Sequence, residues 1–173
     1  MVAANATQKH FTLEEFMANP LDQIEWVDGK LVEKDGVTLK HGKIQSRLGC
    51  AWANYRILSK HGGEGYISPP CRTNQNIRRP DVAYLTPELV AQFGNLATLP
   101  QSFPLIAEIV SPTDIAEDVF LKAQEYLASS CQEVWLVFPE SRLIFAVTQD
   151  RILTFRSNDT ATNQQILLGF SIE

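Results

Sequence analysis

Polar and apolar positions change period several times along the chain, and each change marks an element. Between residues 42 and 60, Ile44, Leu48, Ala51, Trp52, Tyr55 and Leu58 recur at helical spacing, which predicts a long helix with one face on a sheet. The stretch Leu105-Ile106-Ala107-Glu108-Ile109-Val110 is instead a nearly unbroken apolar run, the pattern of a strand buried on both faces. Shorter strands are expected at Ile24–Val27 and Lys30–Glu33, joined by an Asp28-Gly29 turn. Two more are expected at about 66–71 and 78–84, joined by the polar turn Thr73-Asn74-Gln75-Asn76. Glu133–Phe138, 143–148 and 152–156 read as three further strands, and 165–168 as a weak one.

Helix signals fill the spaces between. Thr12-Leu13-Glu14-Glu15 is a capping-box pattern, so a short helix should run to about residue 19 and stop before Pro20. Thr86-Pro87-Glu88 opens another short helix, with proline suited to the first helical position. After Ser111-Pro112-Thr113 a helix is expected to about residue 129, with Ile115, Val119, Ala123, Tyr126 and Leu127 on one apolar arc. Asp118, Lys122 and Tyr126 stack at i, i+4 and i+8, with Lys122 at the margin of that arc. The expected fold is α/β, a mixed central sheet flanked by helices. With no repeat, low-complexity tract or linker in view, residues 1–173 read as one domain, residues 1–11 being a flexible tail.

Composition narrows the setting. The 173 residues are 45% hydrophobic, enough for a substantial core, yet no apolar stretch approaches membrane-spanning length. The polar N-terminus lacks a signal-peptide apolar region. Cys50, Cys71 and Cys131 have no metal spacing and leave an odd thiol in any disulfide scheme, which points to the reducing cytoplasm. A net charge of −5 argues against a strongly basic nucleic-acid binder but leaves room for a local patch. Lys40, Lys43, Arg47, Arg78 and Arg79 form the densest such grouping, or else ordinary solvated surface.

The candidate chemistry starts from Glu108. An ionised carboxylate in an apolar strand costs several kcal/mol unless it is paired, hydrogen-bonded or metal-bound. Lys122 or Arg79 would compensate it by an ion pair, and Asp81, in Arg79-Pro80-Asp81-Val82-Ala83-Tyr84, would share a metal ion with it. Asp81 could equally begin a strand or cap a turn, and Lys122 could pair with Asp118 at the surface. Glu25 is either a third acid of the site or an exposed hairpin residue; His41, expected just before the long helix, either lines the site or caps the helix. Ser111 lacks the Gly-x-Ser-x-Gly context of a hydrolase nucleophile, and no His/Cys cluster has zinc spacing.

Pro80-Asp81, a long gap and Glu108 resemble the PD-(D/E)XK nuclease superfamily, and the wider pattern resembles the Uma family of restriction endonuclease-like proteins. The resemblance spans about residues 12–147. It is carried by Glu25-Trp26-Val27-Asp28-Gly29-Lys30-Leu31, His41, Arg79-Pro80-Asp81-Val82-Ala83, Glu108-Ile109-Val110-Ser111-Pro112, Asp118, Lys122, Tyr126 and Glu133-Val134-Trp135-Leu136-Val137. It implies a restriction-endonuclease-like fold and Mg2+-dependent hydrolysis of nucleic acid, DNA in particular, with Mn2+ as a substitute. Asp81, Glu108 and the carbonyl of Ile109 would be the metal ligands, with Glu25 and His41 as further catalytic candidates. One departure stands out: the superfamily places a lysine two residues after the acid, where this chain has Val110. Lys122 fits a relocation of that lysine to the following helix. Cutting both strands of a duplex would suit a homodimer. The alternative is a nuclease-like fold that binds nucleic acid or a protein partner without cutting.

Overall fold

In the computed structural model, which describes residues 11–34 and 38–173, the elements follow one another as α1 (Leu13–Ala18), β1 (Ile24–Val27), β2 (Lys30–Glu33), α2 (Leu39–Leu58), β3 (Glu64–Ile67), β4 (Cys71–Arg72), β5 (Ile77–Arg78), β6 (Val82–Leu85), α3 (Pro87–Phe93), β7 (Leu105–Ile109), α4 (Ala116–Leu127), β8 (Glu133–Phe138), β9 (Leu143–Val147), β10 (Ile152–Phe155), β11 (Ala161–Thr162) and β12 (Ser171–Ile172). Six strands form the main sheet in the order β10-β9-β8-β7-β6-β3. Among the described strands only β7 and β8 pair in parallel, and α4 is the crossover that parallel neighbours require. A smaller sheet, β2-β1-β5-β4, lies beside it, and β11 pairs with β12.

The apolar run is β7, all five of its residues buried. Because side chains alternate along a strand, Leu105, Ala107 and Ile109 share one layer with Leu48 and Trp52 of α2 and with Trp135 and Val137. Ile106 faces the opposite layer with Ala123, Tyr126 and Leu127 of α4 and with Val134 and Leu136. Trp52 and Trp135 meet edge to face at 6.1 Å in the first layer. Helices thus cover both faces of a mixed sheet, and the α/β expectation holds.

Several boundaries move for local reasons. The strands expected at 66–71 and 78–84 are each broken in two, at Ser68-Pro69-Pro70 and at Arg79-Pro80-Asp81. Proline lacks the N–H a ladder needs, and Ser68 sits at φ 49°. At its break each strand passes between the two sheets, β3 to β4 from the large to the small and β5 to β6 from the small to the large, which puts Asp81 at their junction. The long helix starts at Leu39 rather than Gly42, because the Thr38 hydroxyl accepts the His41 N–H at 3.1 Å and caps it. His41 therefore lies in the first helical turn, not before it.

Leu58 is 82% exposed at the end of α2, and Ile115, 65% exposed, precedes α4 instead of joining its apolar arc. Residues 165–168 form no strand. The backbone N–H groups of Gln164 and Gln165 are taken instead by the buried carboxylate of Glu133, at 2.8 and 2.9 Å. The capping box at Thr12 and Glu15 and the Asp28-Gly29 turn, with φ of 49° and 80°, form as expected. Residues 1–10 of the expected tail lie outside the described residues, while the Phe11 carbonyl accepts the Trp26 indole N–H at 2.8 Å.

Candidate active site

The site is built where three elements meet: the C-terminal end of β7, the junction before β6 and the middle of α4. Asp81 is anchored first. Its Oδ2 accepts the N–H of Ile109 at 2.7 Å, continuing the β6–β7 pairing with a side chain where Pro80 cannot donate. Its Oδ1 accepts the Lys34 ammonium at 2.7 Å and lies 3.3 Å from His41 Nε2. The His41 approach lacks hydrogen-bond geometry, and neither of its buried ring nitrogens has a hydrogen-bond partner among the described residues. Burial alone would raise the Asp81 pKa; His41 and Lys34 outweigh it, with the Ile109 N–H, and hold the carboxyl well below its usual range.

Glu108 projects from the other face of β7. Its Oε1 accepts the Tyr126 hydroxyl at 2.7 Å and lies 3.1 Å from the Lys122 ammonium. Burial raises its pKa, and Asp81 and Glu25 add to the rise against the opposing pull of Lys122 and Lys34. Lys122 also donates to Glu25 Oε1 at 2.9 Å, so one ammonium joins two carboxylates. The pairing of Glu108 with Lys122 is present, and Arg79 is not its partner. The Arg79 guanidinium turns to the carbonyls of Leu21, Ile24 and Ser68, and its backbone alone reaches the site, the N–H donating to Glu25 at 2.9 Å and the carbonyl accepting Lys34 at 2.7 Å.

Glu25 is 5% exposed, so the exposed-hairpin reading does not hold. Burial would raise its pKa, but Lys122, Arg78 and the Arg79 N–H bring it down to about 2. Burial would lower the Lys122 pKa; Glu108 and Glu25 outweigh it and raise it well above the usual value. Arg78 bridges Glu25, at 3.1 Å, and Glu125, at 2.6 Å. Three groups converge on Glu125: Arg78, the Thr73 hydroxyl and the Asn76 amide.

Glu25, His41, Asp81, Glu108, Ile109 and Lys122 therefore line one cleft of about 600 Å³. Asp118, exposed on the turn before Lys122, lies at its wall and makes no ion pair with that lysine. The expected basic patch is dispersed. Arg78 and Arg79 are internal, Lys40 pairs with Glu140 at 2.7 Å, and only Lys43 and Arg47 stay exposed without an ion-pair partner among the described residues. Lys34 and the Arg78–Glu125 pair were not foreseen. Lys34 follows a strand exposed at every position, and nothing in its sequence surroundings marks it as internal.

The donor set fits a hard divalent ion. Magnesium takes oxygen ligands, needs only one or two carboxylates and keeps several waters. Asp81 and Glu108 offer two carboxylates in one cleft, and the raised pKa of Glu108 marks an acid with too little positive charge around it. An extended residue turns N–H and C=O to the same edge, so the Ile109 carbonyl shares the edge on which its N–H meets Asp81. Among the described residues no three His, Cys, Asp or Glu side chains converge as a metal-holding group. The oxygen donors the cleft offers are the Asp81 and Glu108 carboxylates and the Ile109 carbonyl.

A family profile described as "putative restriction endonuclease", Uma2, matches residues 8–173. The chain belongs to the Uma2 family. Among solved structures, one reported as "a putative nuclease belonging to DUF820" from Anabaena variabilis superposes with a TM-score of 0.77. It is 20% identical, with 91% of each chain covered, a likeness that establishes the fold. No curated protein matches. No helix among the described residues is long and apolar enough to cross a membrane.

Proposed function

We propose that this Uma2 chain is a magnesium-dependent endonuclease that hydrolyses phosphodiester bonds of DNA, with Mn2+ able to replace Mg2+. The observation that carries the reading is the convergence of Asp81, Glu108, Glu25 and Lys122 on one cleft in a restriction-endonuclease family member. Bound between Asp81 and Glu108, with the Ile109 carbonyl as a third ligand, the metal would polarise the phosphate and acidify water.

The protein's own groups then have distinct parts. Asp81, its pKa depressed, stays anionic and holds positive charge in place. Glu108, its pKa raised, is the carboxylate best suited to accept a proton from the attacking water. Lys122 stays an ammonium at neutral pH, so it stabilises charge on the phosphate rather than acting as a base. Glu25 keeps that ammonium oriented, and Tyr126, whose hydroxyl stays protonated, fixes Glu108. His41 stands beside Asp81, with Nε2 3.3 Å from Oδ1, and helps to keep that carboxylate in place. Lys43 and Arg47 on α2 give the nucleic-acid backbone two exposed cations.

The three cysteines are free thiols, which supports a cytoplasmic setting. Cutting both strands would use two such clefts, as in a homodimer. The test is supercoiled plasmid incubated with Mg2+: nicked or linear product, absent with EDTA and absent with Asp81→Asn, is expected. A salt-dependent gel shift with no cutting would make the chain a binding module instead.

A further inference from the structure

Lys34 departs from its surroundings. It follows β2, whose four residues are all exposed, and its N–H continues the hairpin by donating to the Gln23 carbonyl at 2.9 Å. Its side chain nevertheless turns inward and is 17% exposed. The ammonium donates to Asp81 Oδ1 at 2.7 Å and to the Arg79 carbonyl at 2.7 Å. Ordering a lysine side chain costs up to about 2 kcal/mol of rotamer freedom, so the placement needs a return.

A carboxylate oxygen and a carbonyl oxygen are the donor types a hard cation takes. Lys34 thus sits on Asp81 as a cation of the protein's own. Magnesium approaches its oxygen ligands to about 2.1 Å, and an ammonium at hydrogen-bond distance from the same oxygen would face it at close range. Two like charges that near one another, beside largely buried side chains, repel more strongly than in bulk water.

On the reading that Asp81 holds a divalent metal, we propose that Lys34 is the internal counter-ion of that metal site. It neutralises Asp81 while the metal is absent and leaves Asp81 when the metal binds. Lys34 lines the same cleft as Glu108 and Lys122, so the released ammonium remains where a phosphate of the substrate would lie. Nucleic acid takes up the displaced charge, and metal and nucleic acid therefore load together. By linkage, each tightens the other's binding by the same factor.

Calorimetric titration with Mn2+ separates the possibilities. Without nucleic acid, Lys34→Met should bind Mn2+ about tenfold or more tightly than the parent. A cleavage-resistant phosphorothioate duplex should tighten Mn2+ binding to the parent and have little effect on Lys34→Met. In EDTA, Lys34→Met should melt below the parent, and saturating Mn2+ should close the gap. Equal or weaker Mn2+ binding by Lys34→Met, with the parent binding normally, would overturn the counter-ion role and leave the metal site standing. No Mn2+ binding by the parent would overturn both.

Lysine acylation followed by mass spectrometry gives a second reading on the parent itself, should Lys34→Met fail to fold. Saturating Mg2+ without nucleic acid should raise the reactivity of Lys34 against exposed Lys60 as the reference. Unchanged Lys34 reactivity at saturating Mg2+ would reject the displacement.

Discussion

The Lys122 ammonium lies 3.1 Å from Glu108 Oε1 and 2.9 Å from Glu25 Oε1, joining a strand of the main sheet to a hairpin of the small one. Its position solves two problems at once. It compensates the acid set into β7, and it supplies the cation that Val110 cannot. Lys122→Ala should lower cleavage by about 10² or more while leaving Mn2+ binding in place, because lysine is not a ligand. It should also destabilise the fold by about 3–5 kcal/mol, since two buried carboxylates lose their shared partner. Single-turnover cleavage, Mn2+ titration and urea unfolding read the three effects separately.

Glu25 and Glu108 should respond to pH in opposite directions. The folded pKa of Glu25 is about 2, below its unfolded value of 4.5. Its stabilising contribution is therefore present above pH 4.5 and lost as pH falls towards 2, a change of order 3 kcal/mol. Urea midpoints between pH 6 and 2 should show a steeper loss for the parent than for Glu25→Gln.

Glu108 has a raised folded pKa, so its contribution is present below pH 4.5 and lost as pH rises through the raised value. In the metal-free protein at pH 7.5, Glu108→Gln should melt at or above the parent, and with Mg2+ present its cleavage should be lost. A clear fall in melting temperature would contradict that sign.

The acids and Lys122 were legible because each breaks a local rule. Glu108 interrupts an apolar run, and Lys122 sits at the edge of the apolar arc of α4. Their partners were harder to see. Arg78 and Glu125 meet across 47 residues of sequence, and a cation next to Asp81 reads as surface until the break at Pro80 is folded. Lys34 is internal only because its ammonium reaches the Arg79 carbonyl and Asp81, 45 and 47 residues away in sequence. The breaks themselves follow from Ser68-Pro69-Pro70 and Pro80, where proline overrides an otherwise strand-like pattern. The early start of α2 follows from Thr38, whose extended backbone lets its hydroxyl cap the His41 N–H.

Tyr126 offers a finer test of Glu108. Tyr126→Phe removes the hydroxyl that donates to Glu108 at 2.7 Å and leaves the buried ring in place. The loss should destabilise by about 1–2 kcal/mol. It should also raise the Glu108 pKa further, because the charged carboxylate loses a donor. A pH profile of cleavage should show the acid limb of Tyr126→Phe displaced to higher pH.

Nucleic-acid contact should divide the cations by their surroundings. Lys43→Glu with Arg47→Glu should weaken DNA binding and flatten its salt dependence, with the melting temperature little changed. Arg78→Gln should instead destabilise the protein, because Glu25 and Glu125 both lose their guanidinium partner. Fluorescence anisotropy against salt, paired with thermal melts, distinguishes the two classes.

The central claim is that Asp81 and Glu108 together hold a divalent cation. Anomalous diffraction from a crystal soaked in Mn2+ tests it directly. A peak at coordination distance from Asp81 and Glu108, absent in Asp81→Asn, is the predicted result. Full occupancy of Mn2+ elsewhere on the chain, with no peak in this cleft, would contradict it.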